Sequence, residues 1–103
     1  MNLGTRQLFF YWRLPSSALA AALVSMRSFH AALSSSHEGL ACSLFVRSDR
    51  ADTTLMERYA LEGSILPGGI DAQLEREITA LGDAQSSSWR QGLRHVEAFD
   101  EMT

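Results

Sequence analysis

Four strand-like segments and two helical segments alternate along this chain and predict an α+β domain with an antiparallel sheet. Three observations carry that prediction. Apolar residues alternate with a period of two in residues 6–14, 40–47, 54–61 and 93–99. They recur every three or four positions in residues 18–36 and 71–82. Glycine, proline and polar clusters separate these runs. With 103 residues, 46% of them hydrophobic, the chain can fill one core and not two, so a single domain is expected.

The first strand, Arg6 to Leu14, is dense in aromatics, which suit a pleated surface, and Pro15 stops it for want of a ladder donor. Ser16 or Ser17 is then a natural N-cap. The helix Ala18–Ser36 carries a stripe of Leu19, Ala22, Leu23, Met26, Phe29 and Leu33 and ends at His37-Glu38-Gly39. Arg27 is its one full charge, so part of its outer side is a possible contact for a larger partner. Leu40–Arg47 and Thr54–Leu61 form a hairpin around the polar SDRADT turn. Glu62–Ile70 reads as a glycine and proline loop, with Gly68-Gly69 as flexible residues at a pocket rim. Asp71 caps a second helix whose stripe is Leu74, Ile78 and Leu81 and which closes at Gly82. Asp83–Gly92 is read as a loop, and Leu93–Phe99 is the last strand.

Composition excludes several classes. The nine basic residues are all arginine, twelve acids leave a net charge of −3, and that balance argues against a nucleic-acid partner. One cysteine excludes an internal disulfide framework and a multi-cysteine zinc site. No apolar run is long enough for a membrane helix. Residues 1–37 hold Arg6, Arg13 and Arg27 and no acid, which is the composition of a transit peptide. Arg13 and Pro15 interrupt its apolar stretch, however, and strand, turn and helix is the stronger reading. A cytoplasmic location is expected.

The order βαββαβ is that of a ferredoxin-like fold, a four-stranded antiparallel sheet with both helices on one face and spatial order 4-1-3-2. The covered face should take Leu8, Phe10, Trp12, Leu14, Cys42, Leu44, Val46, Val96 and Ala98. The third strand is ambiguous. Met56 and Ala60 suit the covered face, which leaves Arg58 at its margin. Alternation then puts Phe9, Tyr11, Arg13, Phe45, Glu57, Tyr59, His95, Glu97 and Phe99 on the open side. Leaving so many rings in water forgoes about 2 kcal/mol each. The open face is therefore expected to be covered, and a second copy about a two-fold axis is the simplest cover.

Met56-Glu57-Arg58-Tyr59-Ala60, Arg94-His95-Val96-Glu97-Ala98-Phe99 and the aromatic run Phe9 to Arg13 resemble a small bacterial family, domain of unknown function 4936. The resemblance covers nearly the whole chain and implies no established activity. The chain departs from it at Leu55, where tryptophan is the family's expected residue. More distantly, the order of elements is similar to that of the dimeric α/β-barrel proteins. These include cofactor-free monooxygenases and haem-degrading enzymes, and fold likeness transfers none of those activities.

Two readings of the open face stand side by side. In one, His95 acts as general acid or base with Glu57 and Glu97 nearby, while Tyr11, Tyr59 and Arg13 hold a small aromatic or anionic ligand. In the other, Arg13 pairs with Glu57 or Glu97 and His95 joins a hydrogen-bond network inside a dimer interface. A metal at His95, Glu97 and Glu57 is a thin ligand set, so no metal or cofactor is expected. His30 and His37 read as surface histidines, and Cys42 as an inert thiol. No nucleophile elbow, phosphate loop or dinucleotide fingerprint is present.

Overall fold

The computed structural model describes residues 5–62 and 68–102. Its elements are β1 (Thr5–Pro15), a single 3-10 turn (Ser16–Ala18), α1 (Leu19–Ser36), β2 (Leu40–Asp49), β3 (Asp52–Leu61), α2 (Ala72–Ser86) and β4 (Gln91–Glu101). The sheet is antiparallel throughout, in the order β2-β3-β1-β4. The chain therefore has the ferredoxin-like α+β fold expected from its sequence, with β1 and β3 central and β2 and β4 at the edges.

The core lies between the sheet and the two helices. It is built on Leu8, Phe10, Trp12 and Leu14 of β1, which meet Met26, Phe29 and Leu33 of α1 and Leu74 and Ile78 of α2. Asp71 caps α2 as expected, its carboxylate accepting from the Leu74 amide at 2.8 Å. Neither Ser16 nor Ser17 caps α1, where the N-cap position falls to Ala18. The Ser16 hydroxyl is instead engaged with the Thr53 hydroxyl at 2.8 Å and so ties the turn to β3.

Three local expectations are corrected. Gly82 does not close α2, which continues to Ser86. A Cβ at Gly82 would lie 2.1 Å from a terminal guanidinium nitrogen of Arg94, so the glycine makes room for that side chain. Gly69 is not a flexible rim residue. It bridges to Arg6 with φ of +84°, and a Cβ there would lie 2.6 Å from the Arg6 backbone. The middle of the loop before it, residues 63–67, lies outside the described residues. His30 is not at the surface, because it falls on the same side of α1 as Met26 and Leu33 and is buried with them.

The largest correction concerns β3. Tyr59 lies opposite Leu8, Glu57 opposite Phe10 and Leu55 opposite Trp12, and directly opposed residues share a face. Glu57 and Tyr59 are therefore under the helices, both fully buried, and not on the open side. Met56 and Arg58 take the open face in their place. The physical reason is volume and pairing. Leu55 and Tyr59 bury more apolar area than Met56 and Ala60, and the carboxylate between them is supplied with four donors from three side chains.

Candidate functional site

The covered face holds a polar cluster inside the core. The Glu57 carboxylate accepts from Trp12 Nε1 at 2.7 Å, from the Tyr59 hydroxyl, and from Arg94 at both Nε (3.0 Å) and Nη2 (2.6 Å). The Arg94 side chain, like that of Glu57, has no exposed surface. Its guanidinium lies 3.8 Å above the centre of the Phe10 ring. Its remaining nitrogen reaches the carbonyls of Ile78 and Thr79, each at 3.3 Å, and the Asp83 carboxylate at 3.2 Å. His30 Nε2 sits 2.9 Å from the Tyr59 hydroxyl. That hydroxyl spends its one proton on Glu57, so His30 must donate to it.

Among the described residues no buried side-chain nitrogen or oxygen lacks a partner. The cluster is thus closed, and it joins α1, β1, β3, β4 and α2. Burial lowers the His30 pKa, and nearby Arg94 adds to that effect against the pull of Glu57. Burial, reinforced by Glu57, holds the Tyr59 phenol far above its ordinary range. Burial also pushes the Cys42 thiol up, in keeping with an inert thiol.

The open face can be written as rows across β2, β3, β1 and β4 from the pairing register. The first row is Arg47, Thr54, Arg13 and Gln91. The next is Phe45, Met56, Tyr11 and His95, then Ser43, Arg58, Phe9 and Glu97, then Ala41, Ala60, Gln7 and Phe99. Phe9 and Phe99 meet edge to face at 5.6 Å, and Tyr11 stacks on His95 at 5.2 Å. Phe45 and Phe99 remain 47% and 57% exposed. Arg58 donates to Gln7 at 2.9 Å, and Gln7 in turn bonds Glu101.

The structure therefore brings together Phe9, Tyr11, Arg13, Phe45, His95, Glu97 and Phe99 on one face and removes Glu57 and Tyr59 from it. The expected grouping of His95 with Glu57 is not built, since the two side chains leave opposite sides of the sheet. Arg13 pairs with Asp52 at 2.9 Å, not with Glu57 or Glu97. His95 and Glu97 form no ion pair among the described residues. His37 pairs with Glu77 across the two helices at 2.6 Å.

Arg94 is the residue that sequence reasoning passed over. It shares the parity of Val96 and Ala98, the covered side of β4, and a lone arginine there asks for a buried acid. No group of three His, Cys, Asp or Glu side chains among the described residues is placed to hold a metal ion. No helix among them is long and apolar enough to cross a membrane. No protein-family model matches the chain, and no curated protein matches it.

Proposed function

We propose that the chain is a homodimeric module for protein interaction or small-ligand binding, acting through the open face of its sheet. The observation that carries this reading is the exposure of Phe45 and Phe99 on the face that also bears Phe9, Tyr11 and Met56. Covering a large apolar side chain stabilises by about 2 kcal/mol when burial is complete. Four strands about 4.8 Å apart and ten residues long at about 3.3 Å each make a face on the order of 600 Å². That approaches the roughly 800 Å² per partner of a standard interface. The face also carries both signs of charge, Arg13, Arg47 and Arg58 with Glu97 and Glu101, so an identical copy can offer complementary groups. Membership of the family of unknown function 4936 and a cytoplasmic location belong to the same proposal.

Sedimentation equilibrium tests it. The expected mass is twice the 11.4 kDa of one chain. Phe45→Glu and Phe99→Glu alter side chains already half in water, so each should return a folded monomer with a wild-type circular dichroism spectrum, its urea midpoint falling only by what association contributes to the wild type at that protein concentration. A wild-type mass of one chain at millimolar concentration would refute self-association.

A further inference from the structure

One end of the open face is concave. Two adjoining hollows of about 360 and 230 Å³ share Tyr11, Arg47 and Thr54. The first is walled by Phe45 and Met56, the second by Arg13 and His95. Together they form a trough across the sheet at the place where its register breaks. Between Tyr11 and Arg13, β1 advances two residues while its β4 partner moves from His95 to Gln91, an irregularity in the ladder beside the trough. Ladder irregularities such as bulges gather at sheet edges and beside binding sites.

We propose that this trough binds a small planar aromatic carboxylate. Its ring would lie in the apolar row of Phe45, Met56 and Tyr11, where the stack on His95 holds the Tyr11 ring in place. Its carboxylate would meet the next row, at Arg47 and the Thr54 hydroxyl. Successive side chains on one face of a strand are roughly 6–7 Å apart. That distance accommodates a ring centre, an attached carboxylate and one hydrogen bond of about 2.9 Å in line.

Charge selects the anion. Arg13 is committed to Asp52, whereas Arg47 is exposed and makes no ion pair among the described residues, Asp49 on the same strand included. A planar guanidinium suits bidentate recognition of a carboxylate. This inference rests on the open face being the working side of the protein. It does not need the second copy, which would only roof the trough.

The test is an NMR titration of the folded chain with 2-naphthoate, using 2-naphthalenemethanol as the neutral comparator and recording the molecular mass of the same samples. Saturable shifts should centre on Tyr11, Thr54 and His95. The alcohol should bind about ten-fold more weakly, the value of one charge-assisted hydrogen bond. Arg47→Gln should produce the same loss, and Arg27→Gln on the outer side of α1 should not. Equal affinity for the alcohol, undiminished binding by Arg47→Gln, or shifts confined to the helices would each overturn the site. A monomer that still binds naphthoate would refute the dimer and keep the trough. A dimer that does not bind would do the reverse.

Discussion

Glu57 and Arg94 offer the sharpest test of the core, because neither side chain has any exposed surface. Replacing Glu57 by Met removes both acceptor oxygens that the guanidinium, the Trp12 N–H and the Tyr59 hydroxyl share. The guanidinium keeps only the two α2 carbonyls and the half-exposed Asp83. Removing one partner of a buried pair costs about 3–5 kcal/mol. A domain of this length has about 5–15 kcal/mol in total, so the variant should lose roughly a fifth or more of its stability. Arg94→Met should cost a similar amount by stranding the carboxylate. The double variant Glu57→Met/Arg94→Met leaves no unpaired charge, although Trp12 N–H and the Tyr59 hydroxyl lose their acceptor. It should therefore fall short of the summed single losses by about 2–4 kcal/mol. Urea unfolding followed by tryptophan fluorescence measures all four proteins, with about 1–3 kcal/mol per molar as the slope. Single losses below about 1 kcal/mol, or additive losses, would show that the two groups are not a buried pair.

Two further outcomes follow from the same cluster. Gly82→Ala should destabilise by about 1–3 kcal/mol, because its Cβ would enter the space of the Arg94 guanidinium. With Arg94→Met already in place the sign should reverse, since alanine is favoured over glycine by up to about 1 kcal/mol inside a helix. His30, whose folded pKa lies below its ordinary 6.5, favours the unfolded chain as a proton acceptor. Its contribution is complete above pH 6.5 and is lost as pH falls through the lower folded value, with a limiting slope of about 1.4 kcal/mol per pH unit. Thermal melts across that window should flatten in His30→Gln, which keeps an N–H donor for Tyr59. A wild-type profile with no such slope would refute the buried neutral imidazole.

Element order was legible because each element carried its own local signal. Pro15, Gly39 and the SDRADT turn mark ends, Asp71 marks a start, and the stripes of α1 and α2 have helical spacing. Those signals suffice for the topology, since the order βαββαβ admits few arrangements. What local signals could not settle was Gly82. Glycine near a helix terminus reads as a stop, and only the long-range arrival of Arg94 explains why the helix runs past it. The open face was legible on β1 and β2, where one side is plainly more apolar, and on β4 through Val96 and Ala98 set against His95 and Glu97. On β3 both alternations mix apolar with charged residues, Leu55, Glu57, Tyr59 against Met56, Arg58, Ala60. Period-two patterning has no power there.

What decides β3 is pairing. Turning the strand over would send Arg58 into the space beside Phe10 and carry Glu57 to the open side. Arg94 would then be buried beside a second arginine with no acid between them, a far worse outcome than either charge in water. In the observed arrangement Arg58 stands on the open face, where Gln7 accepts from it, and Glu57 receives the arginine that β4 delivers. The pair fixes which side of β3 faces the helices, and by exclusion it fixes what the open face displays: Met56 between Phe45 and Tyr11, and Arg58 beside Phe9. The character of the proposed interaction surface is thus set from the opposite side of the sheet. A variant that loses the buried pair yet stays folded should disturb the open-face rows along with the core, and the naphthoate titration of Glu57→Met/Arg94→Met is the measurement that links them. Unaltered binding in that double variant would mean that apolar packing of Leu55 and Tyr59 alone holds β3 in place.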